Sequence, residues 1–275
     1  MCRWIGYSGS PIPLDELILN PEHSLIDQSM SARMAAHATN GDGFGLGWFG
    51  RQGRPGTYHS VQPAWNDGNL RDLCYHVQSG LFLAHIRRST GTPVQSSNCH
   101  PFRHDNWLMV HNGLLRGYQQ YRHSLLCEVA AQYMPDLKGS TDSELIFLLA
   151  LSYGLDDEPL EAVARVVRLI ESLAAKQGIE NAVQMTLGFA DGERLIAIRY
   201  STEGKSRSLY YSESAADLRA QFPGHPRIEV FPDDARAVVS EPLNDAEVIW
   251  REVPESTAII VEAGTVRSVP FRPHG

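Results

Sequence analysis

Apolar residues recur along this chain with two different periods. Short runs of strand character come first, at 4–7 (Trp4-Ile5-Gly6-Tyr7), 44–49, 81–86 and 107–110, each bounded by Gly, Asn, Asp or Pro, the residues that turns require. Between and after them, apolar positions fall three and four apart over 24–34, 118–134, 142–153 and 159–176, which is the helical period. The last of these is the clearest, because Pro159 suits a first helical position and Gly178 stands just past the end. From 183 the strand pattern returns over 183–189 and 194–200, with Asp191-Gly192 predicting a hairpin turn between them, and again over 208–212, 235–240 and 257–262. Strands, then helices, then strands predict an α+β protein in which helices cover sheets. No Ser/Pro/Gly-rich linker and no repeat divides the 275 residues, so the expected organisation is one domain, 1–275.

Composition removes several function classes. The chain is 43% hydrophobic and 20% charged with a net charge of −8, so it has the balance of a folded globular protein and no electrostatic footprint for a polyanion. No Lys/Arg-rich run appears, and neither nucleic acid nor an anionic membrane is an expected partner. The longest apolar stretch, 145–151, is far shorter than the roughly 20 residues of a spanning helix. The start of the chain lacks the basic-then-apolar order of a secretory leader, which makes a cytoplasmic protein the expectation. Cys2, Cys74, Cys99 and Cys127 form no CxxC pair, arguing against a zinc ribbon or a disulfide framework. His85, His100 and His111 lack the three- or four-residue spacing of helical ligands and have no close carboxylate, so no metal site is expected.

Candidate chemistry starts at Cys2. Removal of Met1 would put a thiol and a free amine on one residue, and these groups titrate near roughly 8.5 and 7.7–8.0 when unperturbed. At neutral pH the amine is partly neutral and can take the thiol proton, so nucleophile and base come as a unit. The plain alternative is a small apolar residue opening the first strand. The segment 40–50 contains a literal GxGxxG at Gly45, Gly47 and Gly50, but Arg51-Gln52-Gly53-Arg54-Pro55-Gly56 cannot open the helix that a dinucleotide loop needs. A strand closely approached by another backbone or a ligand fits better. His111-Asn112-Gly113 follows an apolar run and, taken alone, predicts a tight turn; its functional alternative is an amide and a backbone N–H that jointly hold an oxyanion. Arg87, at the end of the 81–86 strand, is either one of a surface Arg pair or a guanidinium fork for a carboxylate, with Thr90 beside it. In 139–144, Ser140 or Thr141 suits a helix cap, while the Asp142 carboxylate also suits the ammonium of an α-amino acid.

The segments 2–7, 40–45, 85–87 with Thr90, 111–113 and 141–144 occur in the order found in class II glutamine amidotransferases, and the chain resembles that family across most of its length, Asn98-Cys99-His100-Pro101-Phe102 and 239–243 included. It looks most like the small stand-alone members, the bacterial predicted amidotransferases and the γ-glutamyl amide hydrolases of ergothioneine biosynthesis and glutathione degradation. The resemblance implies the four-layer αββα sandwich of N-terminal nucleophile hydrolases. It implies Cys2 as nucleophile, Asn112 and the Gly113 N–H as oxyanion donors, Arg87 with Thr90 on the substrate α-carboxylate, and Asp142 on the α-ammonium. No cofactor and no metal are implied. Gly91 stands where relatives attached to sugar-phosphate and purine pathways usually carry His, so hydrolysis of a γ-glutamyl amide through a thioester is expected over transfer to such an acceptor. Three alternatives differ in kind: a glutaminase subunit feeding ammonia to a separate synthase, an acylase acting on other amides, and a degenerate binding or regulatory module. The first requires a partner synthase, and the resemblance also admits a partner peptidase subunit. The leaving group is left open among ammonia, a cysteinyl-glycine, a histidine-derived sulfur compound and a polyamine.

Overall fold

A computed structural model describes residues 2–31, 39–50, 53–89, 91–246 and 248–275, the side chain of Arg227 excepted. Its strands are β1 (Arg3–Pro13), β2 (Phe44–Phe49), β3 (Pro55–Ser60), β4 (Gln78–Ile86), β5 (Phe102–His104), β6 (Trp107–Leu115), β7 (Val183–Ala190), β8 (Arg194–Ser201), β9 (Tyr210–Ser212), β10 (Arg236–Val239), β11 (Trp250–Glu252), β12 (Thr257–Glu262) and β13 (Thr265–Pro270). Within the described residues they form two antiparallel sheets, ordered β11-β9-β10-β1-β4-β2-β3 and β13-β12-β8-β7-β6-β5.

Side-chain alternation turns these sheets into layers. Trp4, Leu83, Leu108, Val110, Leu195, Ala197, Ile259 and Val261 share one buried cluster between the sheets. Their chain neighbours face outward: Ile5, Tyr7, Phe82 and Ala84 pack under α1 (Asp15–Ile18), α2 (Leu25–Met30) and α3 (Gly68–His76). Met109, Ile196, Ile198 and Ala258 pack under α4 (Tyr118–Cys127), α5 (Asp142–Ser152) and α6 (Pro159–Lys176). α7 (Ala215–Gln221) and α8 (Pro226–Glu229) follow β9. The result is an αββα sandwich whose central strands are apolar on both faces, which is why they read as continuous apolar runs.

Local chemistry sets the element ends. Ser24 and Asp27 close α2 with a reciprocal capping box; the expected helix 24–34 is observed over Leu25–Met30, and 32–38 lie outside the described residues. The helix expected over 118–134 ends at Cys127 and is followed by a separate 3₁₀ turn, Ala131–Asp136. The Ala130 N–H is taken by the Ser152 hydroxyl at 2.9 Å, and Pro135 has no N–H to continue a ladder. Between β7 and β8 the turn sits at Asp191-Gly192 as expected: Gly192 has φ +99°, and Asp191 Oδ1 accepts from the N–H groups of Glu193 and Arg194. Gly45 lies inside β2, where a Cβ would come within 2.2 Å of the His100 carbonyl oxygen, so the glycine pattern serves a close backbone approach and not a phosphate loop.

Candidate active site

Strand register assembles the first half of the site. β1 lies between β10 and β4, and its pair Arg3↔Ile86 puts Cys2 beside Arg87 and Arg88, the residues that leave β4. The Arg88 N–H donates to Cys2 Sγ at 3.3 Å, and the thiol donates back to the Arg88 carbonyl at 3.5 Å. Arg3 Nη1 donates to the Cys2 carbonyl at 3.0 Å, while Arg3 Nε donates to Glu241 Oε2 at 2.8 Å with both side chains buried. Cys2 is thus fixed through its backbone by a buried ion pair. Burial pushes its thiol up, and the Arg88 N–H partly offsets that.

The second sheet supplies Asn112 and Gly113. The predicted turn at His111-Asn112-Gly113 is absent: β6 runs straight through to Leu115, and Gly113 pairs with Met185 of β7. Glycine is needed there for contact, because a Cβ would lie 2.0 Å from the Gln184 carbonyl oxygen. Among the described residues the Asn112 side-chain amide makes no hydrogen bond, although the residue is buried. The Asn112 backbone carbonyl accepts from Thr186 Oγ1 at 3.3 Å, and that hydroxyl accepts from Trp4 Nε1 at 3.1 Å. A second tie crosses the sheets where His85 Nε2 meets the His111 carbonyl at 3.2 Å; since a carbonyl only accepts, Nε2 carries the proton. His111 Nδ1 in turn lies 2.8 Å from Ser143 Oγ.

Two charged groups complete the arrangement. Arg87 is buried, and its guanidinium donates to neutral acceptors: Asp42 O (3.3 Å), Ser89 Oγ (3.3 Å), Thr92 Oγ1 (2.7 Å) and Pro93 O (3.2 Å). Among the described residues no carboxylate pairs with it. Asp142 opens α5, which Thr141 caps by accepting from the Glu144 N–H. The Asp142 carboxylate accepts from the Leu115 and Ser143 N–H groups at 3.0 and 2.8 Å and meets no cation among the described residues. Thr90 lies outside the described residues. The histidines add no charge: burial drives His85 down to about 3, His100 well below its ordinary value and His111 lower, the last opposed by Asp142.

Cys2, Arg87, Asn112, Gly113 and Asp142 all line one cavity of about 440 Å³ at this end of the sandwich. No group of three or more His, Cys, Asp or Glu among the described residues is placed to hold a metal ion. No helix among them is long and apolar enough to cross a membrane. The sequence profile of the class-II glutamine amidotransferases matches residues 20–274. The chain belongs to that family. A solved glutamine aminotransferase class-II domain protein from Silicibacter pomeroyi is similar to it, with 33% identity and a TM-score of 0.73 over 98% of this chain and all of that one. A probable glutamine amidotransferase of Saccharomyces cerevisiae is 29% identical over 98% of this chain and 84% of its own length. The γ-glutamyl-hercynylcysteine sulfoxide hydrolase of Mycolicibacterium smegmatis is 26% identical over 98% and 100%. The layering is that of the N-terminal nucleophile hydrolases. In this class-II amidotransferase the same cavity wall also holds Arg88, Arg116 and Arg207, and the Trp4–Thr186 bridge stands behind it. Sequence spacing points to none of Arg207, Thr186 or Trp4, because strand register and sheet stacking, not chain proximity, bring them together.

Proposed function

We propose that this protein hydrolyses γ-glutamyl amides, with Cys2 as an N-terminal nucleophile once Met1 is removed. One observation carries the reading. Five residues from four well-separated places in the sequence converge on one cavity that offers a thiol, an unbonded amide, a backbone N–H, a cation and a carboxylate, one partner for each feature of a γ-glutamyl group. The name of the mycobacterial relative supports the same substrate class.

Arg87, with Thr90, clasps the substrate α-carboxylate, and Asp142 holds the α-ammonium. The free Cys2 amine takes the thiol proton. Sγ then bonds to the amide carbon, and the carbonyl oxygen becomes an oxyanion that the Asn112 side chain and the Gly113 N–H receive. The C–N bond breaks as the ammonium returns its proton to the departing amine, leaving a γ-glutamyl thioester. Water, deprotonated by the same amine, adds to the thioester carbon. The C–S bond breaks, glutamate leaves and the thiolate regains the proton.

The test is intact mass of purified protein incubated with a γ-glutamyl diazoketone. The expected result is a chain lacking Met1 with one adduct on Cys2, together with glutamate release from γ-glutamyl amides. A chain that keeps Met1, or carries no adduct, yet still releases glutamate overturns the mechanism.

A further inference from the structure

The cavity carries more positive charge than a γ-glutamyl head uses. Arg87, Arg88, Arg116 and Arg207 line it against a single acidic residue, Asp142, in a chain whose net charge is −8. Arg116 is neutralised by Glu203 at 2.6 Å. Arg87 and Asp142 are matched to the α-carboxylate and α-ammonium in the reading above. Arg88 and Arg207 remain, and among the described residues neither side chain has a hydrogen-bond acceptor or a carboxylate. Nearby acids are already engaged: Glu241 by Arg3, and Glu252 and Glu255 by Arg199, with Glu255 also held by Ser206. Arg207 is half-buried, on the connection between β8 and β9. Burial and the neighbouring Arg3 both press it toward losing its proton, so its position is costly unless an anion arrives.

We propose that the leaving group accepted here is an amine bearing a carboxylate, an α-amino acid or short peptide, and that Arg207, with Arg88 beside it, selects it by that charge. The inference rests on the γ-glutamyl reading and narrows it. In a γ-glutamyl amino acid the second carboxylate sits one carbon from the scissile nitrogen, on the side of the amide away from the glutamyl head. The Arg88 backbone touches the Cys2 sulfur, Arg88 and Arg207 both line the cavity, and the Arg207 charge is close enough to Cys2 to interact with it electrostatically. Ammonia would leave both cations unpaired, and a polyamine would be repelled. A cavity of about 440 Å³ falls in the ~300–1,000 Å³ range of small-molecule sites.

The experiment compares γ-glutamylalanine with γ-glutamylalaninamide, which differ only in that charge, and adds γ-glutamylputrescine. The native protein is expected to favour the carboxylate over the amide by about tenfold or more in kcat/KM, with the polyamine conjugate poorest. Arg207→Gln should bring that ratio toward one through KM with little change in kcat, and Arg207→Lys should keep part of it. Calorimetric binding of the first two compounds to the Cys2→Ala variant reads the same preference without turnover. Equal or reversed preference in the native protein, or an undiminished ratio in Arg207→Gln, overturns the proposal. A binding preference with no turnover of any γ-glutamyl amide by the Met1-free chain would instead sink the hydrolase reading alone.

Discussion

Cys2 is held by its neighbours more than it is activated by them. Arg88 brackets the sulfur and Arg3 fixes the carbonyl, while burial disfavours the thiolate, and among the described residues no imidazole reaches Sγ. In the proposed mechanism the proton acceptor is the residue's own amine, freed by removal of Met1. The oxyanion donor is a separable contribution. Asn112→Ala should lower kcat by about 10²–10³, the ~2.7–4 kcal/mol known for one such donor, with KM little changed; steady-state kinetics on a γ-glutamyl amide check this, and an unaltered kcat would remove Asn112 from the chemistry. Legibility at this scale was uneven. The candidates Cys2, Arg87, Asn112, Gly113 and Asp142 stand out because each residue type suits one step of a single chemistry and all five occur in an ordered series. Arg207 does not, because in 202–207 it sits among Thr, Glu, Gly, Lys and Ser and reads as a solvated loop.

Among the elements, β6 shows how a local rule loses to a tertiary one. Asn-Gly favours a turn where nothing else intervenes, yet pairing with β7 on one edge and the approach of the Gln184 carbonyl hold Asn112-Gly113 extended. Thr186 then locks this strand to β1 through Trp4. Thr186→Val keeps the shape, removes the hydroxyl and strands the Trp4 indole N–H in the core, so it should cost about 1–3 kcal/mol of stability. It should also lower kcat by freeing Asn112 to shift. Urea unfolding and kinetics on one preparation separate the two effects, and an unchanged kcat would show that the bridge is purely structural. Helices with a full apolar stripe, α6 above all, were legible to the residue. α3 buries only Leu70 and Cys74, too thin a stripe to declare itself.

Over the whole molecule, three apolar layers explain what could be read and what could not. Strands buried on both faces announced themselves as apolar runs; the sheet margins β3, β5, β11 and β13 did not, since β5 and β11 are only three residues long, β13 is mostly exposed and β3 is only partly buried, and Pro55 and Pro270 end two of them as edge strands favour. The same burial makes the fold acid-sensitive. His85 is held near 3 in the folded state, against roughly 6.5 unfolded, and His100 and His111 shift the same way. The unfolded chain therefore binds protons first. The stability that these neutral rings provide is complete above about pH 6.5 and is lost as pH falls from there, for His85 down to about 3, at up to ~1.4 kcal/mol per pH unit for each ring. Denaturation midpoints should decline from pH 6.5 to 5 with net proton uptake on unfolding; a flat profile contradicts the assignment.

The opening strand of a polypeptide is commonly its most frayed portion, yet β1 is an interior member of its sheet, flanked by β10 and β4 and covered on both faces. Cys2 itself lines the cavity, so an extension ahead of it bears on the site while the strand behind it stays held. An affinity tag fused at that end should give a protein with undiminished melting temperature and no turnover, and proteolytic trimming back to Cys2 should restore turnover in full. A tag placed after Gly275 should be silent in both assays.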